Sequence, residues 1–177
     1  MLKLIDSLAA TIGSIVFRIG RIFSWALVLL LLAIIVNVVL RYVFSRDMIA
    51  LAELQWHFYA VLVMISLAYA QKEDAHVRVD LIHRHFSPGI KRFVEIFSLL
   101  FLLIPLMVFV FIEGLEFTQE AFRLGEKSPA PGGLPMRWII KAFIPIGAAL
   151  LIINSVARII RLSTGSESVD SESNPAD

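Results

Sequence analysis

The stretch LAELQWHFYAVLVMISLAYAQKEDAHVRVD, residues 51–80, decides how this chain is read. Its first twenty residues are apolar enough to cross a hydrocarbon core about 30 Å thick, yet they carry Glu53, Gln55 and His57. An intramembrane carboxylate is costly unless it faces protein or a water-filled cavity, so this span needs a neighbour. Glu53 and His57 are four residues apart and share a helical face. They can satisfy one another, pair with a neighbouring helix, or form a docking surface for another subunit. Ion transfer is disfavoured, because it needs further intramembrane ionisable groups and few exist here. Directly after the span, His76, Arg78 and Asp80 occupy every second position, a period that puts them on one side of an extended backbone. A loop that only meets solvent and headgroups does not require the alternating Val77, Val79 and Leu81, so this segment is expected to pack against something.

Working outward, the whole chain has the same character. It is 58% hydrophobic over 177 residues with mean hydropathy +0.81, well above a soluble domain, and reads as an all-α integral membrane protein. Sixteen basic against fifteen acidic residues leave a net charge of +1, which gives no electrostatic case for nucleic acid. With no cysteine, disulfides, thiolate metal sites and a Cys nucleophile are excluded. The four histidines lack metal-ligand spacing, so no metal, cofactor or catalytic residue is expected.

Residues 1–23 alternate a basic face (Lys3, Arg18, Arg21) with an apolar stripe (Leu4, Leu8, Ile12, Ile15, Ile19, Ile22), a pattern suited to an amphipathic helix in the membrane surface. The same pattern also fits the wet start of the first span. A four-helix transmembrane domain is expected over 24–161, with spans near 24–44, 48–70, 93–112 and 138–157. Asn37 and Asn154 are the polar interior residues of the first and fourth, Asn37 suited to a helix-packing hydrogen bond. Pro105 predicts a bend in the third span. Glu113, Glu116 and Glu120 keep helical spacing beyond that span, so the helix is expected to run to Leu124 and stop at Gly125. The Pro- and Gly-rich segment 128–135, with Pro131, Gly132 and Gly133, then specifies a shaped turn. Residues 162–177 are Ser-rich and acidic and are expected to be disordered. Ten basic residues flank the spans on the side of the termini against six on the other, which predicts both termini in the cytoplasm.

ELQWH at 53–57 followed by KEDAHVRVD at 72–80 resembles the small membrane subunit, the DctQ-type permease, of tripartite ATP-independent periplasmic (TRAP) transporters. GEKSPAPGGLP at 125–135 with RWIIKA at 137–142 is similar to the branch labelled mannitol/chloroaromatic or 2-oxo-acid. The likeness covers about residues 25–161. It implies a scaffold subunit in the bacterial inner membrane, bound to a large DctM-type subunit that carries the substrate and sodium sites. It also implies a DctP-type periplasmic binding protein that delivers an organic acid. On that resemblance Glu53, Gln55, His57, His76, Arg78 and Asp80 are candidates for the large-subunit interface. Glu116, Glu120, Pro131, Gly132 and Gly133 are candidates for periplasmic docking. Membrane lipids are the remaining expected partner.

Two readings from other classes compete. A haem-b membrane anchor needs paired axial histidines at membrane depth, and only His57 lies within a span. A self-sufficient channel needs polar residues lining a pore from several spans, and each span here has only one or two.

Overall fold

The structure is a computed structural model that describes residues 2–72 and 87–164. Among the described residues, six α-helices form in chain order: α1 (Leu2–Phe23), α2 (Trp25–Tyr42), α3 (Ile49–Lys72), α4 (Pro88–Ser98), α5 (Ile104–Arg123) and α6 (Trp138–Thr164). A π-helical turn, Leu99–Leu103, joins α4 to α5. Among the described residues, four segments are long and apolar enough to cross a membrane: Gly13–Tyr42, Ile49–Gln71, Gly89–Arg123 and Trp138–Thr164. The HVRVD segment and residues 165–177 of the acidic tail lie outside the described residues. Before that, α6 extends through the expected start of the tail, and Leu162 is fully buried.

Helix α6 is the axis of the bundle. It packs against α1, α3 and α5, whereas α2 leans mainly on α3. Lipid tails are as apolar as leucine, so helices in a bilayer gain little by merely hiding leucines from lipid, and close contact between small residues matters more. The buried positions of α6 follow that rule: Pro145, Gly147, Ala148, Ser155 and Ala157 accompany Leu151, Asn154, Arg158 and Leu162. At Gly147 the backbones come close, since a Cβ there would stand 2.7 Å from the carbonyl oxygen of Met64. Leu151 meets Ala68 of α3 and Val16 of α1, with Met107 and Leu150 packed around them. The second half of α1 is therefore part of the bundle core.

The outer faces are greasy. Along α2, Leu27, Leu31, Leu32, Ile35 and Val38 are all exposed, as are Phe97, Phe101, Leu102 and Phe109 on the third rod. Such a surface suits lipid or other membrane helices.

Proline explains the π turn. Pro105 has no N–H, and its ring would crowd the carbonyl four residues back, that of Phe101. The helix widens one turn earlier, where the amide of Ile104 bonds the carbonyl of Leu99. The irregularity expected at Pro105 is thus a change of hydrogen-bond register within an unbroken rod. That rod, Gly89–Arg123, holds 35 residues and spans about 52 Å, far more than a bilayer core. It ends where the sequence predicts. Gly125 has φ +58°, its N–H bonds Phe122 O at 3.1 Å, and Glu126 N–H bonds Ala121 O at 2.9 Å, the paired bonds of a Schellman cap.

Substituting Gly147→Leu should force α3 and α6 apart and cost about 1–3 kcal/mol, read as a lower melting temperature in detergent. Gly89→Ala, where an added Cβ meets nothing within 4 Å, should leave it unchanged. Equal melting temperatures for both variants would contradict the packing.

Candidate functional site

Polar side chains gather at the two ends of the bundle. At the first end, Glu53 projects from the opening turns of α3 toward the segment between α5 and α6. Its Oε2 accepts the amide of Leu134 at 2.7 Å and its Oε1 accepts the hydroxyl of Ser128. The Ser128 hydroxyl in turn accepts the amide of Ala130 at 3.2 Å, and Ser128 N–H bonds Leu134 O at 3.1 Å. Gly133 closes the turn through a 3.0 Å bond to Ala130 O, and a Cβ on it would stand 2.9 Å from Glu53 Oε2. One carboxylate thus organises a loop more than seventy residues away in sequence. Three further contacts brace the loop and the helix ends that flank it. Lys141 pairs with Glu126 and lies 3.7 Å from the centre of the Phe117 ring, and Phe122 meets Trp138 edge to face at 5.3 Å.

The neighbours of Glu53 have other duties. Gln55 donates to Ala33 O at 3.1 Å and ties α3 to α2. His57 does not meet the Glu53 carboxylate. Its Nδ1 donates to the Glu53 main-chain carbonyl, 2.6 Å away on its own helix. Glu116 and Glu120 are exposed on the last turns of α5, Glu120 paired with Arg123 at 2.6 Å. Pro131 and Gly132 form the exposed tip of the turn, Gly132 with φ +78°. The structure therefore brings Gly133 to Glu53 and places the other four docking candidates at the same end. His76, Arg78 and Asp80 lie outside the described residues.

The opposite end carries a second network. Arg158 of α6 is buried, its Nε donating to Glu95 Oε1 on α4 at 2.6 Å and its Nη1 to the main-chain oxygen of Gln71 on α3 at 3.2 Å. The Gln71 side chain donates to Ser155 Oγ at 2.7 Å and accepts from Asn154 Nδ2 at 3.1 Å. Three rods are joined there by one arginine. An ion pair this deep is costly to desolvate, and losing one partner is worse than losing both. Of these residues only Asn154 stands out in the sequence as polar and interior. Arg158 follows it by one helical turn, which was the available clue, whereas the partnership with Gln71 and Glu95 depends on how the helices are arranged.

Two measurements check these ties. Glu53→Ala should raise the hydrogen-exchange rate of the Leu134 amide by roughly tenfold or more, because a charge-assisted acceptor is lost, and an unchanged rate would refute the link. Arg158→Ala should destabilise the bundle by about 3–5 kcal/mol, and the double change Arg158→Met with Glu95→Leu should recover part of that loss. A double variant as unstable as Arg158→Ala would remove the ion pair from the account.

Among the described residues, no group of three or more His, Asp or Glu side chains could hold a metal ion. Comparison with curated proteins finds no match. The family model for tripartite ATP-independent periplasmic transporters, DctQ component, matches residues 10–165, nearly the whole described chain with its four apolar rods and both polar ties. The chain is a multi-pass membrane protein and belongs to the DctQ family, the small permease component of TRAP transporters.

Proposed function

We propose that this subunit is the static scaffold of a sodium-driven importer of organic acids. Its large partner carries the substrate and ion sites, and a periplasmic binding protein docks at the end where Glu53 holds the turn. One observation supports the reading above others. The polar groups of Glu53, Gln55, Gln71, Asn154 and Arg158 are bound within the chain, and the faces of α2 and of the third rod turned away from the bundle are apolar. A transporter that carried solute itself would instead direct such groups at a water-filled path.

In this reading the rod that overshoots the bilayer core, with Glu116 and Glu120 on its last turns, and the tip at Pro131, Gly132 and Gly133 face the periplasm. Glu53, Gln55 and His57 lie near the large-subunit interface, where Glu53 acts by shaping the turn. His76, Arg78 and Asp80 lock the cytoplasmic side, and both termini are cytoplasmic. The cysteine-free sequence makes the orientation simple to test. Lys127→Cys, exposed on the turn, should react with a membrane-impermeant maleimide added to whole spheroplasts, and Ser163→Cys, exposed at the end of α6, should react only after lysis. The reverse pattern would invert the scheme.

The function itself is tested in proteoliposomes. Uptake of an organic acid under an inward sodium gradient should require this chain, its large partner and the binding protein together, and should be absent with this chain alone. Transport by the isolated chain would overturn the scaffold reading. If Arg78→Ala with Asp80→Ala left co-purification with the large subunit unchanged, the cytoplasmic lock would be abandoned.

A further inference from the structure

A crevice of about 150 Å³ opens between α1 and α3, lined by Gly20, Arg21, Phe23, Ser24, Leu62, Ile65, Ser66 and Tyr69. Its floor is apolar, formed by Phe23, Leu62 and Ile65, and its rim is polar. We propose that this crevice binds one anionic phospholipid, with the phosphodiester on Arg21 and a stretch of acyl chain along the floor.

Size limits the guest first. An apolar cavity of about this volume holds a benzene-sized molecule, so the crevice takes a few methylene groups and not a whole lipid or a helix. Charge decides next. Arg21 is exposed, and among the described residues no carboxylate pairs with it. Its guanidinium carbon lies 4.8 Å from the centre of the Phe17 ring, and that ring stacks on Tyr69 at 5.4 Å. The side chain is thus steadied by an aromatic face while its N–H edge stays available for phosphate oxygens. The rim hydroxyls do not compete for this role, because Ser24 donates to Arg21 O at 2.7 Å and Ser66 to Val63 O at 3.3 Å. Arg18, one turn back, is also exposed and adds a second positive charge on the approach.

Depth agrees with a headgroup. The membrane-crossing stretch of α3 runs from Ile49 to Gln71. Tyr69 lies about 30 Å along it from Ile49, two residues before its end. Gly20 packs directly on Tyr69, so Arg21 sits within a helical turn of the far interface of a core about 30 Å thick. A soluble anion would find the apolar floor useless, and a partner's apolar side chain would leave the guanidinium without a counter-charge. A phospholipid uses both parts.

The test is native mass spectrometry of the full chain released from detergent after incubation with phosphatidylglycerol or phosphatidylcholine. The account expects a retained phosphatidylglycerol adduct in preference to phosphatidylcholine. Arg21→Ala should weaken it about fivefold, the contribution of one basic side chain at a membrane surface. Ser66→Phe, which fills the crevice from an exposed position, should weaken it without touching the charge, and millimolar inorganic phosphate should not displace it. Arg123→Ala at the opposite end should have no effect. Equal binding of the two lipids, retention in both crevice variants, or displacement by phosphate would overturn the proposal. In native membranes, a photoreactive residue replacing Ser66 should label lipid, and labelling of a polypeptide instead would assign the crevice to a protein partner.

Discussion

A charge placed inside an apolar bundle must be answered by other polar groups, and the architecture follows from how this chain meets that demand. Glu53 is answered by a hydroxyl and a main-chain amide of the turn that precedes α6. Arg158 is answered by Glu95 and by the main-chain carbonyl of Gln71 near the end of α3. Each answer comes from outside the charged residue's own helix, so one ties α3 to the turn before α6 and the other ties α6 to α4 and α3. Between the two ends, contact between α3 and α6 rests on small residues at van der Waals distance, with Gly147 against Met64 and Ala68 against Leu151. Polar ties at the ends and close packing between them make a stiff unit.

Stiffness is what the proposed scaffold role requires. A subunit that braces a moving partner needs one stable arrangement, and inward-facing polarity supplies specificity that apolar contacts in lipid do not. The turn held by Glu53 extends this stiffness outward. Its glycines and prolines would leave an isolated loop many conformations, yet here three hydrogen bonds around one carboxylate and one serine define a single shape. In the proposed docking role such preorganisation is an advantage, because less ordering remains to be done on contact.

Much of this was legible in the residues. The four rods follow from apolar length, the end of the third from Gly125, and the disturbance before Pro105 from a missing amide. Glu53 stood out because an intramembrane carboxylate needs a reason. Its partner did not stand out, since Ser128 looks like any turn serine and Leu134 contributes only its main chain. The pairing of Arg158 with Glu95 was hidden for a similar reason. Each residue is unremarkable at a helix end, and only the arrangement of rods brings them together. Likewise the basic face of α1 was visible in the sequence, but not that its second half would place Val16 in the core against Ala68 and Leu151.

The central claim of the proposed scaffold role is that this subunit stays rigid while its partner moves. It is tested most directly by stapling the core shut through a disulfide between Ala68→Cys of α3 and Leu151→Cys of α6, in a chain that has no other cysteine, and measuring uptake by the complete transporter. The account predicts the same uptake rate with the staple oxidised or reduced. Loss of uptake on oxidation, restored by reductant, would show that α3 and α6 move during transport and would contradict it.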